Sequence, residues 1–210
     1  MNEQVDPLDD TKYKSRNMMT TSVPHFGVLK VGDNPLSKKS ISPPTFIHGK
    51  HASILKQILE KYGINVMIVD SILDIDAAAI RKLLWVSAMW LLCHDHEDCG
   101  HSNDASPIDV IQVHKTKQSL LYELIVNELY PAALSLLEQY HNISDDKAKL
   151  YLGSTDEVMT YLESYSLSMP GAIPNKKLAI DEILQRNCIL LSTSISQPLH
   201  ETLIKKVTKM

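Results

Sequence analysis

The side chains with the most chemical capacity lie between residues 82 and 101. Cys93, His94, His96, Cys99 and His101, interleaved with Asp95, Glu97 and Asp98, are ligand types that suit zinc. Their spacing matches no common zinc finger or ribbon, and a polar loop between two helices accounts for them, so no metal is expected. Upstream, Lys82 sits beside Arg81 inside an otherwise apolar run. A lysine so placed either snorkels its ammonium to the surface or lines a cleft and serves an anionic ligand. Other chemistry has less to stand on. There is no glycine-rich phosphate loop and no serine in a nucleophile elbow. Cys188 falls in an apolar helical run, where a thiol is usually inert. Glu123 and Glu128 lie on a long amphipathic helix, where acids face solvent more often than a cleft.

The element that must position Lys82 is the stretch from Asp74 to His94. It begins with Asp74 and Asp76, which suit the positive end of a helix macrodipole, and continues through Leu83, Leu84, Trp85, Val86, Ala88, Met89, Trp90, Leu91 and Leu92. A helix apolar nearly all round belongs in a core, and this one is too short between charges to span a bilayer. Trp85 and Met89 are expected inside. The chain has 210 residues, 44% hydrophobic and 22% charged, with a net charge of -4. That is the profile of a soluble globular protein and offers no basic surface to nucleic acid. Three cysteines do not build a secreted disulfide scaffold, and the polar, acidic start lacks the apolar core of a secretory signal; a cytoplasmic location is expected.

In chain order, residues 1–24 read as a disordered N-terminal segment. A partial α/β unit at 25–70 holds a strand between His25 and Gly32, a proline- and serine-rich loop from Asp33 to Pro44, a helix from Gly49 to Tyr62 stopped by Gly63, and a strand from Ile64 to Val69. The remainder, 71–210, reads as helical. One helix runs from Ser119 to Tyr140, with Pro131 set to kink or divide it, and another from Asp145 to Tyr165, interrupted at Gly153. A loop with Pro170, Gly171 and Pro174 follows, then helices from Lys177 to Leu191 and from Pro198 to Val207.

This order of parts, with Ile80-Arg81-Lys82-Leu83-Leu84-Trp85 and the later Ser166-Leu167-Ser168-Met169 running into Leu178-Ala179-Ile180-Asp181, resembles the second half of a ketopantoate reductase-like protein, the 2-dehydropantoate 2-reductase family. The resemblance covers Phe26 to the C-terminus. It implies a mostly α fold, a helical bundle of the 6-phosphogluconate-dehydrogenase C-terminal-like type, preceded by the tail of a Rossmann domain whose glycine-rich beginning is missing here.

The resemblance also implies roles. Lys82 falls where that family places the general acid that protonates the carbonyl of a 2-keto acid as hydride arrives, and Ser166 or Ser168 would bind the substrate. The asparagines expected after the lysine are here Val86 and Trp90, and the expected glutamate is replaced near Ala179, with Asp181 and Glu182 the nearest acids. Without the early Rossmann half the chain alone holds no cofactor, and NADP would enter only if that half were supplied. Two functions follow from these readings. One is NADPH-dependent reduction of a small 2-keto acid, expected to be inactive in this chain alone. The other is a non-catalytic helical interaction or dimerisation domain, with a homodimer as the expected partner and neither nucleic acid nor membrane.

Overall fold

The computed structural model describes residues 21–23, 43–95, 107–174 and 186–208. Three short strands, β1 (Thr21–Val23), β2 (Thr45–His48) and β3 (Val66–Ile68), form one sheet in that order. β1 runs antiparallel to β2, and β2 parallel to β3, joined by helix α1 (Ala52–Lys61). Alternation along the strands gives each face its own cover. Ile47 and Val66 point to one side, where they bury Ala52 and Ile64 and receive Leu55 and Leu59 of α1. Phe46 and Val23 point to the other, against Ile75 and Ala78 of the long helix α2 (Ile72–His94). The sheet is thus covered on both sides despite its size, the second side by the first turns of the helical part.

The strand expected between His25 and Gly32 lies outside the described residues. β1, however, falls within the N-terminal segment read as disordered, and β2 directly follows the proline-rich loop where no strand was expected. Both are three- or four-residue elements, too short to show a period in the sequence; pairing, rather than local propensity, makes them strands.

α2 starts at Ser71, whose hydroxyl accepts the Asp74 N–H at 3.2 Å. Asp74 serves that first turn, but Asp76 does not: it is buried and lies 3.2 Å from His141. The helix is buried on all sides from Leu84 to His94 except at Val86. Around it pack α3 (Val110–Thr116), α4 (Gln118–Leu124), α5 (Tyr130–His141), α6 (Asp145–Leu152), α7 (Thr155–Ser168), a helical stretch at 186–191, and α8 (Pro198–Thr208). α3 is a short helix that the polar composition around it concealed. Gly153, with φ of +86°, separates α6 from α7, and the Ser154–Glu157 capping box opens α7. The run Gln118–His141 is long and apolar enough to cross a membrane by length and composition, yet it is mostly buried within the fold.

Pro131 does not break that run. Ile125–Leu129, separated from it by Tyr130, form a π-helical segment that leads into α5, placing the proline in the first turn of a new α-helix, where its missing N–H matters least. The widened turn has a second effect. It delivers Glu128, read from sequence as a solvent-facing acid, into the interior, where its two carboxylate oxygens accept the N–H groups of Leu199 (2.9 Å) and His200 (2.8 Å) at the start of α8. A carboxylate there satisfies orphan donors and complements the helix dipole. Glu123, by contrast, is exposed as expected. Glu128→Ala should cost about 2 to 4 kcal/mol in urea unfolding, because it leaves two buried N–H groups unpaired, and Glu128→Gln about half of that.

Candidate functional site

Lys82 lies in the third turn of α2, half-buried, one turn before Trp85. Its ammonium is lowered to about 8, first by burial and second by the positive charge of Arg186. A lysine with that value is partly neutral at mildly alkaline pH, so it can give up a proton as well as attract an anion. Its neighbour Arg81 turns elsewhere. It donates through Nη2 to the Tyr151 carbonyl at 3.2 Å and lies 5.8 Å over the Phe46 ring, bracketing the sheet to the helices.

Ser166, near the end of α7, is fully buried. Its hydroxyl accepts from Trp85 Nε1 at 2.8 Å and lies 3.0 Å from His114 Nε2. The His114 ring also has a hydrogen bond to the Leu162 backbone. Burial holds His114 below its ordinary value against the pull of Glu163 and of that backbone bond. One oxygen therefore joins α2, α3 and α7, and its hydrogen-bonding capacity is used internally. Trp85 adds a tilted stack on Tyr165, with centroids 4.6 Å apart, and Tyr165 is in turn 6.0 Å from Tyr161. Burial pushes Tyr165 up to about 12. Ser168, also buried, donates to the Tyr165 carbonyl at 2.7 Å and closes the last turn of its own helix.

Of the residues singled out from sequence, Ser166 is joined to α2 through Trp85, one turn beyond Lys82, and Ser168 is turned onto its own helix. Val86 is half-buried and Trp90 is 2% exposed; Ala179, Asp181 and Glu182 lie outside the described residues. Trp85 and Met89 are inside the core as expected; His114, a residue that nothing in the sequence pattern marked, is half-buried beside them at Ser166.

In the histidine- and cysteine-rich stretch, His96, Cys99 and His101 lie outside the described residues. Cys93 is buried, and burial raises its thiol to about 12, the opposite of what a thiolate ligand needs. A ring nitrogen of His94 pairs with the Pro174 carbonyl at 2.8 Å. Asp95 is buried between two lysines, 3.1 Å from Lys117 and 2.7 Å from Lys206. Burial acts to raise its carboxyl, but the lysine hydrogen bonds prevail and hold it below the ordinary range. Among the described residues no three metal-ligating side chains cluster. Cys188 is a free, half-buried thiol.

Comparison with protein-family models, with characterised proteins and with solved structures finds no match to this chain.

The displaced lysine gives a pH signature. Its folded value lies below that of an unfolded lysine, so between about pH 8 and 10 the unfolded chain binds more protons there and stability rises with pH. Above about pH 10 the buried tyrosines act in the opposite sense. Lys82→Met should gain about 1 to 2 kcal/mol at pH 7 and lose the alkaline rise, measured as the difference between wild-type and variant urea midpoints from pH 7 to 9.5.

Proposed function

We propose that this chain is a helical domain of the ketopantoate reductase-like kind, a 6-phosphogluconate-dehydrogenase C-terminal-like bundle after a Rossmann-type tail, that works as a non-catalytic interaction and dimerisation module. The observation that carries the reading is Ser166. A substrate-binding serine needs a free hydroxyl at an accessible surface, whereas this one is fully buried and committed to Trp85 and His114. Ser168 is likewise turned onto its own backbone. Val86 and Trp90 stand where a keto acid would need amides to orient it. On this reading the partner is a second copy of the chain in the cytoplasm, and neither nucleic acid nor membrane is engaged.

One observation favours the second reading, reduction of a small 2-keto acid by NADPH. Lys82, lowered to about 8, has the protonation behaviour of a general acid in the position that the resemblance assigns to it. NADP then belongs to a nucleotide-binding half supplied with this one.

The two readings separate in one assay. The purified chain, supplemented in trans with a Rossmann nucleotide-binding half, is incubated with NADPH and a panel of branched and unbranched 2-keto acids, and absorbance at the nicotinamide band is followed. No oxidation above the enzyme-free rate is expected. Turnover that Lys82→Met abolishes would replace the interaction module by the reductase.

A further inference from the structure

We draw no further inference here: the strongest candidate, the uncapped N-terminus of α1, where Gly49, Lys50 and His51 follow β2 and the first turn carries no acid, is a helix N-terminus whose flanking Lys50 and His51 are exposed, with no second feature that points to a ligand.

Discussion

Burial of α2 is the constraint on which the rest of the structure depends. From Leu84 onward almost every side of this helix is apolar and covered, and a helix of that composition has no surface it can show to water. The chain therefore has to surround it. The sheet covers its first turns through Val23 and Phe46, α5, α6 and α7 cover its middle, and α3 and α8 cover its end. Arg81 and Lys82 lie where this cover is incomplete and both are half-buried. The arginine is held by a carbonyl and an aromatic face; the lysine is half-buried with its proton loosened.

Apolar burial fixes which elements meet but is nearly indifferent to how they are rotated. Directional contacts supply that information here. Ser166 accepts from α2 and bonds α3 from its place on α7. Glu128 takes two N–H groups of α8, and His200 in that same turn lies between Gln197 and Asn187, at 2.9 and 2.8 Å, with burial pushing it down to about 4. At its other end α8 is held by Lys206 on Asp95. Each is a buried polar group that would be costly alone and is satisfied by a specific geometry. The residues that looked most like a substrate site from sequence are thus among those that hold the helices in register.

Much of this was legible in the sequence where a pattern extends over several turns. The mostly helical body, the inward Trp85 and Met89, the break at Gly153 and the start at Pro198 all follow from periodicity and from glycine and proline chemistry. What the sequence did not disclose depends on contacts between distant residues. β1 and β2 exist by pairing with each other. Glu128 has the type and spacing of a surface acid, and only the π turn before Pro131 turns it inward. His114 sits fifty-two positions from Ser166, with nothing local to announce the bond. For Lys82 the sequence left snorkelling and cleft lining open, and the structure answers with a half-buried lysine beside Arg186.

If α2 is the element that the others are built to cover, its backbone should open only when the whole molecule unfolds. Native-state hydrogen exchange measures this directly, residue by residue. The amides from Ala77 to Leu92 should be the slowest in the chain and should exchange with the free energy of global unfolding, while those of α1, whose Ile54 and Ile58 are exposed, open earlier. Exchange of the α2 amides at free energies well below the global value, or ahead of those in α1, would contradict the account.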